Sequence, residues 1–429
     1  PIAGSSSIVT TGALNSGSIT SGFGTIDNGA SAITTTGAVS GGTITGSTSV
    51  KTPLIEYTDG DDAITIADGG GTTFAQTAAI PAITGLTSIN SGQIGGSRNK
   101  IINGAMVIDQ RNAGSAVNIS AGTTTYSLDR YAFFSGTTSA VATIQQDSSA
   151  PDNFTNSLKI SVNTADASVA ADDRARITQR IEGYNFADLN YGSASARTLT
   201  LSFWVKSNLT DTFSVVFYNA ANNRMMLKTY TTEVANTWEQ KTITITGDTT
   251  GTWLKTNGNG INIAFNLMAG SSQQGTADSW QAAVGAYGTS SQANLFSSTS
   301  NTFYLTGVQL EKGSTATEFE HRSIGEELAL CQRYYYENPA IIGTGLGSTT
   351  IARATGSHPV AMRSAPTVTV SNAVQFFNGD ASLTCTGSLT SYSTTTVYNA
   401  DLTTNAANTS GNACCIVPAT GKITVSSEL

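Results

Sequence analysis

Apolar and polar residues alternate along much of the chain. In RTLTLSFWVK, Leu199, Leu201, Phe203 and Val205 share one side of an extended backbone, and in DTFSVVFYN Phe213, Val215 and Phe217 do the same. KTITIT and INIAFNLM repeat the pattern with Ile243 and Ile245, then Ile261, Ile263, Phe265 and Leu267. Successive strand side chains point to opposite faces, so this spacing predicts half-buried strands, and a series of them separated by turn residues predicts an antiparallel β-sandwich. Beyond residue 338 the alternation returns in APTVTVSNAVQFF, TTTVYNADL and GKITVSSEL. A unit this short needs contacts from outside itself, here from neighbours in a trimer. SIGEELALCQRYYYE departs from the pattern: Ser323 with Glu326 makes a capping-box signal, and Ile324, Leu328, Cys331 and Tyr335 follow at i, i+4, i+7 and i+11. A helix is predicted over 323–337, its stripe either docked on the sandwich or, in a trimer, gathered on the axis.

The first fifty residues have another texture. IVTTGALNSGSIT, from Ile8, returns 25 residues later as ITTTGAVSGGTIT, with eight of thirteen positions identical. Asp27 is the one charge and Phe23 the one aromatic in this stretch, so it cannot enclose a core alone. Three copies wound on an axis would pool Ile and Val into a narrow shared core; the alternative is a Gly/Ser/Thr linker. In YTDGDDAITIADGGGTTFAQ, DGDD and DGGG are turn signals around a strand at 63–67. The Asp59, Asp61 and Asp62 cluster lacks the twelfth-position Glu of a calcium loop and reads as a solvated turn, so no metal is assigned.

A composition shift at NKIINGAMVIDQRN (99–112), where aromatics become frequent, sets the expected domains: a repetitive β shaft over 1–98, a sandwich over 99–322, a helical connector over 323–337 and a β tip over 338–429. Only 12% of the 429 residues are charged, and the net charge is −8 with no basic run, which argues against a nucleic-acid backbone as partner. With no run of about 18 apolar residues, membrane insertion is not expected. Cys331, Cys385, Cys414 and Cys415 show no ligand spacing and read as buried free thiols, a usage that fits cytoplasmic synthesis.

Trp204 and Tyr218 fall out of phase with the apolar set, as do Asn262 and Asn266. One sheet is therefore expected to present two rings and two amides outward, a surface suited to sugars; the alternative is that the rings are covered by a loop or a neighbouring subunit. In the tip, Phe376, Phe377, Asn378, Asp380, Tyr392 and Tyr398 are further candidates, with core or interface packing as their alternative. A catalytic role finds less support. Glu182, Glu233, Glu239 and Glu311 are scattered, and His321 and His358 accompany neither a G-x-S-x-G elbow nor an HExxH pair. No catalytic residue and no cofactor is assigned.

SLKISV, ITQRIEG, LTLSFWVKS and FYLTGVQLEKG resemble successive strands of jelly-roll carbohydrate-binding modules. NKIINGAMVIDQRN, then YSLDRYAF, then GVQLEKGSTATEFEHRSIGEELALCQRYY is similar, in that order, to the distal region of tail fibres of tailed bacteriophages, over roughly residues 99–337; the Gly/Thr repeats resemble the shaft before such domains. The resemblance implies an all-β, elongated homotrimeric fibre in the virion that joins other tail proteins at its N-terminal end. Its distal domains would meet host surface polysaccharide or lipopolysaccharide, as a non-catalytic receptor-binding protein. A polysaccharide depolymerase and a structural capsid or baseplate fibre are the alternatives. The chain starts at Pro1, so an attachment segment is expected outside it. Light scattering tests the shaft: the intact chain is expected near three chain masses, and a monomer would remove the pooled-core account of the repeat.

Overall fold

A computed structural model of the protein describes residues 54–56, 62–66, 72–74 and 97–429, apart from 120, 137, 283–284, 339–340, 346–350, 372–373, 378–381, 386–389, 404–412 and 419–421. The opening repeat, Asp59 and Asp61 lie outside the described residues. The chain divides into two units, Pro1–Thr84 and Gly85–Leu429. In the first, β1 (Leu54–Glu56), β2 (Asp62–Ile66) and β3 (Thr72–Phe74) form an antiparallel sheet. The strand expected at 63–67 is β2, set one residue earlier where it pairs with β3 from Ile64 to Ile66.

The second unit opens with β4 (Val117–Ile119), β5 (Thr124–Leu128), β6 (Tyr131–Ser135), β7 (Val141–Asp147), β8 (Ser157–Thr164) and β9 (Arg174–Glu182). A single helical turn, α1 (Gly183–Phe186), precedes β10 (Leu199–Ser207), β11 (Thr212–Tyr218), β12 (Met225–Thr231) and β13 (Glu239–Ile245). Then come β14 (Asn259–Ala269), β15 (Trp280–Gln281) and β16 (Thr302–Lys312). These strands make two antiparallel sheets, one ordered β13-β10-β16-β8-β7-β4 and the other β15-β12-β11-β14-β9-β6-β5. The alternation read from sequence sets their inner faces. Leu201, Phe203 and Val205 of β10 and Phe213, Val215 and Phe217 of β11 are fully buried in one core, and Phe203 meets Phe265 of the opposite sheet edge-on at 5.1 Å. Each such side chain contributes about 1.5–3 kcal/mol of burial, so register is held from both sheets at once.

The 99–112 segment closes one end of the sandwich by its amides. Asn99 donates from Nδ2 to the Val308 carbonyl at 3.1 Å and accepts from the Leu310 amide at 3.0 Å. Buried Asn103 brackets Ile108, donating to its carbonyl at 2.8 Å and accepting from its amide at 2.9 Å. Between them Gly104 lies so close to the Val308 carbonyl that a Cβ would sit 2.2 Å from its oxygen.

The remaining elements are α2 (Ile324–Gln332), β17 (Tyr335–Asn338), β18 (Ile341–Gly345), β19 (Ile351–Ser357), β20 (Thr367–Ser371), β21 (Val374–Phe377) and β22 (Ser382–Cys385), followed by β23 (Thr390–Ser393), β24 (Val397–Thr403), β25 (Ala413–Pro418) and β26 (Lys422–Ser426). They form sheets β17-β26-β20 and β22-β21-β25-β18-β19-β24-β23. The Ser323 hydroxyl accepts from the Glu326 amide at 3.3 Å, so the cap expected from sequence starts α2. The helix stops sooner than expected. Tyr334 lies beyond it, donating to Glu182 at 2.7 Å and lying under the Arg130 guanidinium at 3.5 Å, while Tyr335 belongs to β17. The predicted stripe is accordingly divided: Cys331 is a buried free thiol packed with Ile102 and Ile108, whereas Ile324 is 64% exposed. Cys414 and Cys415 occupy adjacent positions of β25, and their thiols lie outside the described residues.

Ionic contacts join α2 and the C-terminal strands to the sandwich. Arg333 grips buried Glu182 bidentately at 2.6 and 2.9 Å. Glu428 pairs with Arg111 at 2.7 Å and with Arg130, and the Leu429 carbonyl accepts from Tyr126 and Arg180. Asp129 lies fully buried beside this junction, held by the Gln110 amide at 2.7 Å and its side chain at 2.6 Å. Burial raises its carboxyl to about 6, so ionised Asp129 weighs against the fold at neutral pH. That cost fades as pH falls through 6 and is gone below the unfolded value near 3.8. Chemical denaturation is expected to show the wild type gaining stability relative to Asp129→Asn between pH 7 and pH 4, by up to about 3 kcal/mol. Parallel profiles for the two proteins would contradict the assignment.

Candidate functional site

The two outward rings of the expected site lie on different sheets. Trp204 is on β10 of the six-stranded sheet and Tyr218 on β11 of the seven-stranded sheet, so they face away from each other across the core. The sequence showed that each was out of phase with its own strand; strand pairing decided that the strands were not neighbours.

On the seven-stranded sheet the expected sugar face is covered. Asn262 lies directly between Arg180 and Tyr218, and Asn266 between Arg176 and Ser214, but Ala277, Ala286, Tyr287 and Gln292 from a later segment pack over this face. Tyr218 is only 8% exposed, packed with Val216, Met225, Leu227 and Ala264 against Ala286 and Tyr287, and burial pushes its phenol up. Asn262 and Asn266 are buried and their Nδ2 groups donate to backbone: Asn262 Nδ2 reaches the Tyr218 carbonyl at 3.2 Å, and Asn266 Nδ2 the Ala264 carbonyl at 3.3 Å. These three residues are therefore removed from the candidate contacts. A sheet face left open by one set of strands is closed by a loop 60 residues or so along the chain, which periodicity cannot signal.

In the tip, Tyr398 is removed for a similar reason. It is fully buried, with the His358 ring 5.5 Å away, and His358 Nδ1 is hydrogen-bonded to the Tyr336 hydroxyl at 2.7 Å. The side chains of Tyr392, Phe376 and Phe377 lie outside the described residues, as do Asn378 and Asp380.

Trp204 remains accessible. It lies in a cleft of about 620 Å³ on the outer face of the six-stranded sheet, walled by Phe154, Phe319 and His321 and edged by Asp152, Gln240 and Glu318. The three wall rings form one cluster, with centroids 5.0 Å apart for Phe154 and Phe319, 5.4 Å for Phe154 and His321, and 4.8 Å for Phe319 and His321. Trp204 is flanked across the sheet by Gln240 of β13 and Thr306 of β16. Rings supply apolar planes and the Gln240 amide and the Asp152 and Glu318 carboxylates supply donors and acceptors at their edges, an arrangement able to hold a sugar ring by stacking and hydrogen bonding.

Local chemistry explains why this cleft exists. The ladder between β10 and β16 shifts register between Ser202 and Trp204. At that bulge Gly307 takes φ +59, and a Cβ there would lie 2.8 Å from both Phe154 Cζ and Trp204 Cδ1. The wall loops are fixed from the sheet. Thr306 donates to the Asn156 carbonyl at 2.7 Å. Buried Glu311 accepts from the Thr317 amide at 2.8 Å and hydroxyl at 2.7 Å, and buried Gln309 accepts from the Glu320 amide at 2.8 Å. Glu311, one of the scattered carboxylates of the sequence, thus holds the loop that carries Phe319 and His321. Those two rings, Phe154 and Asp152 escaped prediction because they sit on loops; the hint available was the EFEHRS segment and the turn-rich PDNF.

Among the described residues no group of three or more His, Cys, Asp or Glu is placed to hold a metal, and no helix is long and apolar enough to cross a membrane.

No protein-family model matches the chain, and no curated protein matches it. Solved structures similar to it include the enzymatically active domain of tailspike protein 4 of bacteriophage CBA120, at 16% identity and TM-score 0.26 over 50% of this chain and 21% of that one. The chain thus spans about a fifth of the length of that tailspike domain. Others are the family 11 carbohydrate-binding module of the cellulase Lic26A-Cel5E of Clostridium thermocellum (14%, TM-score 0.24, 48% of this chain and 100% of that one) and the module TmCBM61 in complex with β-1,4-galactotriose (9%, 0.24, 50% and 99%).

Replacing Gly307 by Ala is expected to displace Trp204 or Phe154 and to destabilise the protein by about 1–3 kcal/mol, since the new side chain meets both a positive φ and two rings. A shift in tryptophan fluorescence together with a lower denaturation midpoint would show it; an unchanged protein would mean that the bulge does not set the ring positions.

Proposed function

We propose that the protein is the receptor-binding part of a bacteriophage tail fibre, a homotrimer of the virion that recognises host surface polysaccharide or lipopolysaccharide through the Trp204 cleft and does not cleave it. The observation that carries this reading is the open, ring-walled cleft on the outer face of a sandwich whose opposite outer face is covered over Tyr218, Asn262 and Asn266. The order of motifs along the chain supports the fibre context. A shallow site of this kind gives modest affinity by itself; three copies on one fibre and several fibres on one particle raise the effective concentration enough for firm adsorption.

The non-catalytic part of the reading is supported by how the chain uses its carboxylates. Glu182 is spent on Arg333 and Tyr334, Glu311 on Thr317, and Glu239 on Lys241 at 2.6 Å and on the Glu233 and Val234 amides. The depolymerase reading then falls to Asp152 and Glu318, which share the cleft.

Trp204→Ala is expected to weaken adsorption of the purified protein to host cells, and its competition with infection, by about tenfold to a hundredfold while leaving the fold intact. Incubation with host envelope polysaccharide is expected to release no reducing ends. Release that disappears in Asp152→Asn and Glu318→Gln would establish the depolymerase instead, and full adsorption by the Trp204 variant would remove the cleft from the binding site.

A further inference from the structure

Beside the Trp204 cleft the same sheet face carries a second row of side chains in which two ammoniums share one carboxylate, Asp147. Lys206 follows Trp204 by two residues on β10, about 7 Å along the strand and on the same face. It lies opposite Tyr304 of β16, which in turn lies opposite Lys159 of β8. The Lys206 ammonium is 4.1 Å from the Tyr304 ring centre and 5.0 Å from that of Trp238, so two rings cradle it. One of its three N–H donors goes to the Ser149 hydroxyl at 2.6 Å. Lys159 is paired with Asp147 at 3.2 Å; Lys206 feels the same carboxylate through space but makes no direct ion pair among the described residues.

Packing between two rings does not require a charge. An ammonium that is cradled, half-buried and in no direct ion pair has donors left for an arriving anion. Burial disfavours its charged form, Asp147 works against that shift and the neighbouring Lys159 adds to it; an arriving anion would offset the cost of burial. From this geometry we infer that the glycan recognised at the cleft is anionic: a sugar stacks on Trp204, and the acidic group of the same or the adjoining sugar, a carboxylate or a phosphate, is bound by Lys206 between Tyr304 and Trp238. This inference rests on the glycan reading above.

The test uses the intact protein and a panel of bacterial surface polysaccharides, each presented in native form, after carboxyl reduction and after dephosphorylation. Binding is expected to at least one acidic polysaccharide and to fall about tenfold or more when its acidic group is removed; whichever treatment abolishes binding identifies the group as carboxylate or phosphate. Lys206→Gln is expected to weaken the native polysaccharide to the level of its neutralised form and to flatten the salt dependence, Lys206→Arg to retain most of the binding, and Trp204→Ala to weaken both forms. Equal binding of native and neutralised forms, or a Lys206→Gln protein that still tells them apart, would overturn the anionic assignment while leaving the glycan reading standing. Failure to bind any polysaccharide would overturn both.

Discussion

Every long strand of the sandwich has one apolar side, and burying all of those sides in one core leaves two outer faces that must be hydrated, covered or used. The rest of the molecule follows from how that constraint is met. The inner faces are filled by fully buried Leu, Ile, Val and Phe from both sheets, so neither sheet can slip by a residue without turning its apolar set to water. With register fixed in this way, the outward side chains are fixed too, each in a definite row across the strands.

The two outer faces are treated differently. Part of the seven-stranded sheet is covered by Ala277, Ala286 and Tyr287, and Glu428 and Leu429 reach Arg130 and Arg180 at the β6 and β9 side of the same sheet. The polar side chains found there serve the backbone and the junction. On the six-stranded sheet the loops cover the outward Thr306, Gln309 and Glu311 of β16 but leave Trp204 of β10 accessible. Gln309 and Glu311 hold the 314–321 loop by its amides, and Thr306 holds the 148–156 loop. Buried polar groups on a sheet surface are costly unless bonded. Here that need is met by the loops that present Phe154, Phe319 and His321, so the bonds that satisfy the sheet also build the wall of the cleft.

In the proposed reading, the cleft and the lysine row beside it would divide recognition between two kinds of force. Stacking on Trp204 is short-ranged and tolerant of sugar identity. A cradled ammonium reaches further and discriminates by charge. Asp152 and Glu318 line the cleft with negative charge, so in that reading an anionic ligand would place its acidic end at Lys206 and not among them.

Strand identity and inner faces were legible in the sequence because they depend on neighbours one or two residues apart: LTLSFWVKS is β10 from end to end, and the Ser323 cap starts α2 where expected. The outward phase of Trp204 was legible for the same reason. What lies over an outer face depends on which strands become neighbours and on which distant loop crosses them, and no local periodicity carries that information. Tyr218, Asn262 and Asn266 had the same phase signal as Trp204 and were covered by a loop; Tyr398 was taken into the core of the C-terminal sheets; Phe154, Phe319 and His321 had no phase signal and became the wall of the cleft. Composition and alternation thus determined an all-β sandwich, while the tertiary structure alone decided which outward ring meets solvent, because exposure is set by contacts between segments far apart in the chain.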